Sequence, residues 1–427
     1  MFFPKKNPFL PFLKDHPRDF DDTQAEAAFR AEVRAFLAAN ARPKAGTRPT
    51  SRAQHVDAAF IARAKDWQAR KAAAGLAAIT WPKAWGGREM PPMFQVIYNQ
   101  EEEAYATPRG VFEIGLGMCI PTMMAYATPA QLERHVAPAL RGEEIWCQLF
   151  SEPAGGSDVA GLRTRAERDG EDWVINGQKI WTSGAHFADF GIIVTRSDPN
   201  VPKHAGLTFF FLDMTSPGVE ARPIRQISGA SHFNEVFFTD VRIPDSQRLG
   251  AVGQGWKVSL TTLMNERLAV GEMPRPDVDD LLALCRLAEL DGAPALANAA
   301  VRERIAEWHV RSQGLKFSRF RTMTALSRGQ TPGPESSIAK LVNAAKLQDI
   351  ASFGLDLLGP AGVVMDPALA PLHALFQEAL LFSPGLRIAG GTDEILRNII
   401  AERVLGLPGD IRVDKDKPFN QLPQGTR

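Results

Sequence analysis

Cysteine is scarce in this sequence, and its copies form neither a disulfide framework nor a metal-site spacing. Cys119, Cys147 and Cys285 are the only cysteines in 427 residues, and none of them forms a CxxC pair. Disulfide-rich secreted domains and zinc ribbons need an even or closely spaced set. The sequence therefore predicts a reduced, cytoplasmic protein and gives no motif for a metal ion.

An excess of one charge and a long apolar run are also missing. The 49 basic and 49 acidic residues balance to a formal net charge of +0, whereas nucleic-acid binding normally needs a basic excess. A membrane span needs about 20 consecutive apolar residues, and Pro121 interrupts the nearest run, GLGMCIPTMMAYA. Prolines break residues 1–20, which therefore do not resemble a signal peptide. We expect a soluble protein that does not act on nucleic acid.

The apolar pattern divides the chain into three zones, which predicts an α+β multidomain protein. Residues 22–144 show helical periodicity, residues 145–250 contain short β-rich runs such as FGIIVTRS and GLTFFFLDM, and residues 251–407 return to a helical texture. We expect residues 1–21 to be an N-terminal extension. Residues 408–427 should form a polar tail or an arm on a neighbouring chain.

Two local patterns make specific structural predictions. Helical spacing in AEAAFRAEVRAFLAAN puts four apolar residues on one face: Phe29, Val33, Phe36 and Leu37. Asn-Gly at residues 176–177 lies between two β-rich dipeptides, and this pair is a strong hairpin signal. The first pattern predicts a packed helix, and the second predicts a tight turn between two strands.

The middle zone also contains a turn of small residues that can bind an anion. In SEPAGGSD, Gly155, Gly156 and Ser157 can present backbone N–H groups and a hydroxyl to a pyrophosphate. A stretch of this kind is more often only a tight turn. Trp181, after a β-rich run, is by itself more often a core residue than a platform for a cofactor. Neither segment identifies a site alone.

Two adjacent glycines precede an amphipathic helix in LRIAGGTDEILRNIIAERV, residues 386–404. Thr392 can cap this helix, and Asp393 and Glu394 suit its positive first turn. A cap does not require glycines before it, whereas paired glycines usually let another group approach the backbone closely. We therefore expect a ligand to lie near Gly390.

Together these segments resemble the acyl-CoA dehydrogenase family. SEPAGGSD followed by NGQKIWTS is similar to that family's flavin-binding β-domain, and ITWPKAWGGR and GGTDEILRNIIAERVLG match its other motifs. The resemblance extends from about residue 29 to residue 407. It implies an N-terminal helical domain, a middle β-barrel-like domain that binds flavin and acyl-CoA, and a C-terminal four-helix-bundle domain.

The resemblance implies that the protein is a flavoprotein with FAD as its cofactor. It assigns seven residues of the middle zone to cofactor binding: Gln148, Phe150, Ser151, Gly156, Ser157, Trp181 and Ser183. Ser151 would bond the pyrimidine edge, Trp181 and Ser183 would flank flavin N5, and Gly156 and Ser157 would meet the pyrophosphate and the pantetheine arm of the substrate. Four C-terminal residues would line the dinucleotide, some of them from a neighbouring subunit: Asp356, Gly359, Thr392 and Glu394.

Two positions depart from the family pattern. The Arg-x-x-Phe-Gly stretch that often supplies an arginine to the FAD phosphates is not found, and residues 274–301 have a different sequence in its place. The glutamate that in many members precedes the Gly-Thr of the C-terminal motif is replaced by Gly390. In those members this carboxylate removes the proton α to the thioester carbonyl, and flavin N5 takes a hydride from the β-carbon.

A second position can supply the missing base. A subset of the family, including long-chain and isovaleryl-type enzymes, carries its glutamate on an earlier helix before an arginine, and Glu266-Arg267 in SLTTLMNERLAVG match that place. A helical glutamate is ordinarily a solvated residue, and Ser259 and Thr262 on the same stripe would fit that reading. The resemblance favours Glu266 as the base, and the backbone N–H of Gly390 can still bond the thioester carbonyl.

Two further residues near this chemistry have weaker assignments. Arg267 is a candidate substrate-site residue, although it more often orders its helix than touches a substrate. His186, in SGAHFAD, is a weaker rival for the base and more often a surface residue or a neighbour of the site.

The resemblance implies an oxidoreductase of lipid degradation that desaturates an acyl-CoA and passes electrons to an electron-transfer flavoprotein. A homotetramer or dimer is expected, and a heteromer stays open. Two alternatives share the fold: a flavin-dependent monooxygenase or oxidase, and a non-catalytic DNA-associated or assembly protein. A credible base in Glu266 favours dehydrogenation. Fatty, branched, aromatic and steroid acyl groups all stay open.

Overall fold

The structure is a computed structural model that describes residues 22–44, 56–268, 275–328, 333–411 and 414–422. Side chains of residues 266–268 and 326–327 lie outside that description, as does the expected N-terminal extension. The described part of the chain is helical, then β-rich, then helical again. This order confirms the predicted α+β multidomain class.

The N-terminal helices pack through the apolar face predicted for the first of them. Phe29, Val33 and Leu37 are buried on that helix, and Phe36 lies against Trp67 with 5.5 Å between the ring centroids. The Thr23 hydroxyl and the Glu26 carboxylate complete a capping box at the helix start. Bounds of the block are α1 Gln24–Asn40, α2 Ala58–Ala73, α3 Pro92–Glu102, α4 Ile120–Tyr126 and α5 Pro129–Leu140, with the paired strands β1 Arg42–Pro43 and β2 Tyr105–Ala106.

The middle block is a seven-stranded sheet with the order β3-β6-β4-β5-β9-β8, in which β7 also pairs with β6. Its strands are β3 Trp146–Leu149, β4 Arg165–Asp169, β5 Asp172–Ser183, β6 Phe190–Arg196, β7 Leu207–Asp213, β8 Val219–Ile224 and β9 Phe233–Pro244. The β3–β6 ladder is parallel, and β6–β7, β4–β5, β5–β9 and β8–β9 are antiparallel. Both faces carry apolar clusters, one of which is shared with α4 and α5. The sheet is therefore held between helical layers.

The hairpin predicted at residues 176–177 is wrong. β5 continues through Asn176 and Gly177 with a register shift against β9, and the two-residue turn lies earlier, between Asp169 and Asp172. A Cβ at Gly177 would lie 2.6 Å from the Thr164 hydroxyl, and its φ is +151°. Close approach of a neighbouring chain segment, and not a turn, accounts for this glycine.

The C-terminal block is helical. Its bounds are α6 Gly255–Leu268, α7 Val278–Leu287, α8 Ala299–Ser327, α9 Ser336–Leu358, α10 Leu375–Leu386 and α11 Asp393–Ile399, with the short strands β10 Glu289–Leu290 and β11 Ala293–Pro294. Trp308 and Phe376 are fully buried in the cluster that joins α7, α8, α9 and α10. α6 differs from the others because it packs on β7 and α4, next to the sheet.

Residues 414–422 pack against the sheet block of their own chain. The backbone N–H of Phe419 donates to the carbonyl of Val201 (2.9 Å), and that of Asn420 donates to Pro199 (3.0 Å). These bonds tie the described part of the expected polar tail to the β6–β7 connection. It therefore forms a short strap on its own chain and does not project as an arm.

Candidate functional site

The end of β3 lies directly beside the middle of β5. The backbone N–H of Ile180 donates to the carbonyl of Ser151 at 2.9 Å, which brings Ser151 next to Trp181. Gln148 on β3 is half-buried. The Phe150 ring is buried edge-on against Phe209, with 5.7 Å between centroids. Phe150 therefore contributes its ring to the core.

Trp181 is not a core residue, contrary to the expectation from its sequence position alone. Its side chain is 55% exposed, and its φ of +60° lies in the left-handed region that bulky residues avoid. It sits where β5 shifts register against β9, with its ring edge-on to Phe233 at 6.0 Å. Strained, exposed aromatic residues of this kind concentrate at functional sites.

A buried ion pair connects β5 to the turn after β3. Lys179 is 0% exposed, and its ammonium donates to a carboxylate oxygen of Glu152 (2.8 Å) and to the carbonyl of Phe150 (3.1 Å). Glu152 also accepts the backbone N–H groups of Arg163 (2.6 Å) and Thr164 (3.0 Å). Burial by itself would raise the pKa of the Glu152 carboxyl, but Lys179 and these donors outweigh it and hold that pKa below its ordinary value.

The turn of small residues is pinned at one side and open at the other. Glu152 and Gly155 exchange two backbone hydrogen bonds, both of 3.0 Å. Gly156 and Ser157 are exposed, and a Cβ at Gly156 would meet nothing within 4 Å. The two residues predicted to contact a pyrophosphate or a pantetheine arm are thus accessible to a ligand.

The backbone that follows Trp181 is held by hydrogen bonds from a buried asparagine on β9. The buried amide of Asn234 donates to the carbonyl of Thr182 (2.9 Å), and its oxygen lies 3.0 Å from Nδ1 of His186. Partial burial lowers the pKa of the His186 imidazole below its usual value, although the bond to Asn234 opposes this. Ser183 lies in a small cavity of about 20 Å³ lined also by Gly110 and Phe187. His186 therefore supports the segment that carries Trp181 and Ser183.

The two residues of the α6 stripe before Glu266 are buried, so the reading of Ser259 and Thr262 as part of a solvated face is wrong. Ser259 and Thr262 are both fully buried. The Ser259 hydroxyl donates to the carbonyl of Gly255 (2.8 Å), and the Thr262 hydroxyl lies 2.9 Å from that of Thr122 on α4. The backbone of Glu266 and Arg267 belongs to α6, and their side chains lie outside the described residues.

The two glycines before α11 have a conformational reason of their own. Gly390 has a φ of +64° and Gly391 a φ of +93°, so the turn between α10 and α11 favours glycine at both positions. The Thr392 hydroxyl accepts the N–H of Ile395 at 3.2 Å, which confirms the predicted helix cap. Within the described chain, the N–H of Gly390 makes no hydrogen bond.

Some charged residues of this turn already make contacts within the chain, and others are exposed. Asp393 is buried and pairs with Arg387 at 2.7 Å, whereas Glu394 is exposed. The Lys340 ammonium on α9 donates to the carbonyl of Gly391 (2.5 Å), and burial lowers the pKa of that ammonium despite the nearby carboxylate of Asp393. Of the acidic residues at the helix start, Glu394 is therefore the one available to a ligand.

Asp356 and Gly359 lie at the end of α9, where both are exposed and Gly359 ends the helix with a φ of +53°. They belong to the C-terminal helices, as Thr392 and Glu394 do, although the turn before α11 contacts α9 near its other end, through Lys340. The sheet residues form a second group. Among the described residues, we find no hydrogen bond or ring contact that joins the two groups within one chain.

Sequence reasoning assigned no role to three buried polar residues at this site. Lys179 and Glu152 occur inside the motifs that carry the family resemblance, but only the tertiary structure pairs them. Asn234, on β9, is fully buried and stands in no motif. A signal was present for Lys179, because a lysine inside a β-rich run needs a buried partner if it faces the core.

Two classes of site have no candidate within the described ranges. No helix there is long and apolar enough to cross a membrane. No group of three or more His, Cys, Asp or Glu side chains there could hold a metal ion.

Comparison with known proteins agrees with this arrangement. Models of the N-terminal, middle and C-terminal domains of acyl-CoA dehydrogenase match residues 23–143, 147–241 and 253–405. The acyl-CoA dehydrogenase IpdE1 of Mycobacterium tuberculosis is 37% identical over 387 residues, which cover 90% of this chain and 98% of that protein. The acyl-CoA dehydrogenase FadE34 of the same organism is 38% identical over 384 residues, 90% of this chain, and the chain spans 52% of its length.

A solved structure gives the same result. The Tcur3481-Tcur3483 steroid ACAD superposes with a TM-score of 0.76 at 26% identity, and the match covers 92% of this chain and 100% of that chain. Domain order, motifs and overall identity agree over nearly the whole chain. The chain therefore belongs to the acyl-CoA dehydrogenase family of oxidoreductases.

Proposed function

We propose that this chain is an FAD-dependent acyl-CoA dehydrogenase that forms an α,β double bond in an acyl-CoA thioester, with Glu266 as the base. The observation that carries this proposal is the buried hydroxyl stripe of α6. Helical geometry puts position 266 one turn after Thr262 and close to the line of Ser259. A carboxylate that continues the line of these two buried hydroxyls would be suited to proton transfer beside the sheet.

Residues at the sheet fit FAD as the cofactor. The exposed, strained indole of Trp181 beside Ser151 offers a platform for a planar ring, and the open space at Gly156 admits a diphosphate. Gln148, Ser157 and Ser183 would complete this part of the site, and Asp356, Gly359, Thr392 and Glu394 would line the dinucleotide from the helical layer. When bound, the flavin supplies the hydride acceptor at N5.

The chain's own residues account for the proton chemistry. Glu266 would take the proton from the carbon next to the thioester carbonyl, and negative charge then develops on the carbonyl oxygen. The N–H of Gly390, which has no partner within the described chain, can donate to that oxygen. Because the carbonyl donor belongs to the backbone, replacement of the usual glutamate by glycine leaves it in place.

We infer a bulky acyl group as the substrate class. The solved relative is named a steroid ACAD, and Gly390 carries no side chain beside the predicted thioester position. A ring-bearing, steroid-derived acyl-CoA is therefore the first substrate to test. Because the chain spans only about half of FadE34, the activity of that whole relative is not transferred.

An oligomer would complete the cofactor site. The family resemblance assigns some of the C-terminal FAD residues to a neighbouring subunit, so a second subunit would bring those residues to the sheet group. Large apolar side chains exposed on the C-terminal helices support such an interface, among them Val310 (70%) and Phe317 (58%) on α8. We propose a dimer or tetramer, with a heteromer as the other arrangement to test, and an electron-transfer flavoprotein as the acceptor.

The test compares wild type with Glu266→Gln, and with Glu133→Gln on the exposed side of α5 as the matched control. Each protein is loaded with FAD, made anaerobic and mixed with saturated acyl-CoAs, including a steroid side-chain thioester. We expect the wild type and the control to bleach the flavin, and Glu266→Gln to do so at least about 100-fold more slowly while still binding the thioester.

Other outcomes separate the hypotheses. Equal bleaching in all three proteins would place the base elsewhere. If none of the thioesters bleaches the flavin of the FAD-loaded wild type, dehydrogenation is refuted. Rapid reoxidation of the bleached enzyme by oxygen, and not by electron-transfer flavoprotein, would indicate an oxidase.

A further inference from the structure

The chain's last described segment, residues 414–422, forms a strap on the sheet block. Its backbone bonds to Val201 and Pro199 are extended by a β-bridge between Pro418 and Pro202 and by a 2.9 Å bond between the side chains of Asn420 and Asn200. The strap therefore covers the connection between β6 and β7. On its other side, that connection faces residues 155–162, which we call the glycine loop.

Lys203 links the strap directly to the glycine loop. Its ammonium lies 2.5 Å from a carboxylate oxygen of Asp414 in the strap and 2.9 Å from both carboxylate oxygens of Asp158 in the loop. Asp158 immediately follows Ser157. The Lys203 side chain is only 11% exposed, whereas its partners Asp158 (56%) and Asp414 (32%) stay partly open to water.

Arg196, the last residue of β6, makes a second link. Its guanidinium donates to the carbonyl of Ala160 in the glycine loop (2.5 Å) and to that of Lys203 (2.6 Å). The ring of Phe419 in the strap lies against the guanidinium, with 3.9 Å from Cζ to the ring centroid. Phe419 thus covers the cation that holds the loop.

The glycine loop depends on these outside contacts for its conformation, because it has few internal hydrogen bonds. Inside it, the N–H of Gly161 donates to Asp158 (2.9 Å) and that of Leu162 donates to Val159 (3.2 Å). Gly156 and Ser157 are exposed. Glycine and small residues gain much conformational freedom when they are not restrained. Restraint must therefore come from outside the loop.

We propose that the strap is a positioning element for the ligand-binding loop, and that Lys203 and Arg196 are the positioning residues through which it acts. The strap would hold Gly156 and Ser157 in the conformation that meets the pantetheine and pyrophosphate groups. This inference rests on the proposed function, because it assigns those groups to the loop. It adds that affinity for CoA depends on a segment far from the loop in sequence.

The test uses the full-length, FAD-loaded protein with the double substitution Asp414→Asn and Phe419→Ala. These changes remove the charge that Lys203 binds in the strap and the ring that covers Arg196. The matched control is Asn420→Ala, which changes the strap without touching either link. Two readouts are taken: hydrogen–deuterium exchange of the peptide that spans the glycine loop, and calorimetric titration with free CoA.

We expect the double variant to exchange faster in the glycine loop and to bind CoA about fivefold to tenfold more weakly, since each partly shielded charged contact contributes up to several-fold. Its melting temperature should stay close to that of the control. A purely structural role would lower the melting temperature and leave CoA affinity unchanged in the folded protein.

The outcomes are distinguishable. Unchanged exchange in the glycine loop would refute the coupling, whatever CoA does. Faster exchange with equal CoA affinity in wild type and variant would refute the positioning role. Faster exchange in a protein whose wild type binds no CoA would leave the coupling standing and would refute the proposed function instead.

Discussion

The buried pair of Lys179 and Glu152 should be essential to the stability of the sheet block. Replacing Lys179 by methionine keeps most of the side-chain volume and removes the charge. Glu152 would then remain buried with two backbone N–H donors, those of Arg163 and Thr164, but without its hydrogen-bonded cation. Breaking a buried pair by removing one partner costs about 3–5 kcal/mol, because an uncompensated charge is left in the interior.

This loss should be visible as a change in melting temperature. At roughly 2–4 °C per kcal/mol, as in domains of moderate size, the cost corresponds to a decrease of about 6–20 °C. Far-UV circular dichroism at one scan rate measures this unfolding. The control is Arg165→Met. It removes an exposed ion pair in which the guanidinium of Arg165 lies 3.8 Å from the carboxylate of Glu167, so the melting temperature should change little.

A second substitution tests the physical reason. Adding Glu152→Gln to Lys179→Met removes the uncompensated carboxylate, so the double variant should recover at least about 1 kcal/mol relative to Lys179→Met alone. The control should melt within about 2 °C of the wild type. If Lys179→Met does so as well, the buried pair does not stabilise the sheet block as inferred.

Three further predictions follow from single residues. The folded-state pKa of Glu152 is lowered from 4.5, so its carboxylate stabilises the fold above pH 4.5, and this contribution is lost as the pH falls from there through the lowered pKa. The difference in melting temperature between wild type and Glu152→Gln should therefore shrink as the pH is lowered below 4.5, and a constant difference would contradict the assignment. Burial raises the pKa of the Cys147 thiol to about 12 and that of the Cys119 thiol well above its usual value. At pH 8, Ellman's reagent should therefore label neither thiol until urea unfolds the chain. Stoichiometric labelling of both thiols in the native protein would refute their burial. Trp181→Gly should relieve about 1–2 kcal/mol of left-handed strain while weakening FAD binding about tenfold; an FAD-free variant that melts several degrees lower would show that the indole belongs to the core.

Several features of this protein could be predicted because they depend on near neighbours in the chain. The buried face of α1, with Phe29, Val33 and Leu37, follows from helical periodicity. The cap at Thr392 follows from one side chain and an N–H of the next turn. Motif content led to the family, and the identity with known relatives confirmed it.

Other features depended on residues far apart in sequence. Asn-Gly at 176–177 has the local pattern of a hairpin, but pairing with β9 and the close approach of Thr164 keep it inside one strand. Local reasoning likewise placed Trp181 in the core and could not assign a left-handed backbone to Gly390 and Gly391. Each of these was settled by which distant segment packs alongside.

The sequence by itself thus determined the order of helices and strands, the helix cap and the family, because periodicity, capping and motif chemistry act over a few residues. Only the tertiary structure paired Lys179 with Glu152, buried the stripe of α6 and laid the strap beside Asp158. Long-range contacts form only when complementary groups on separate segments meet in the same packed arrangement, and a local pattern cannot specify which segments those are.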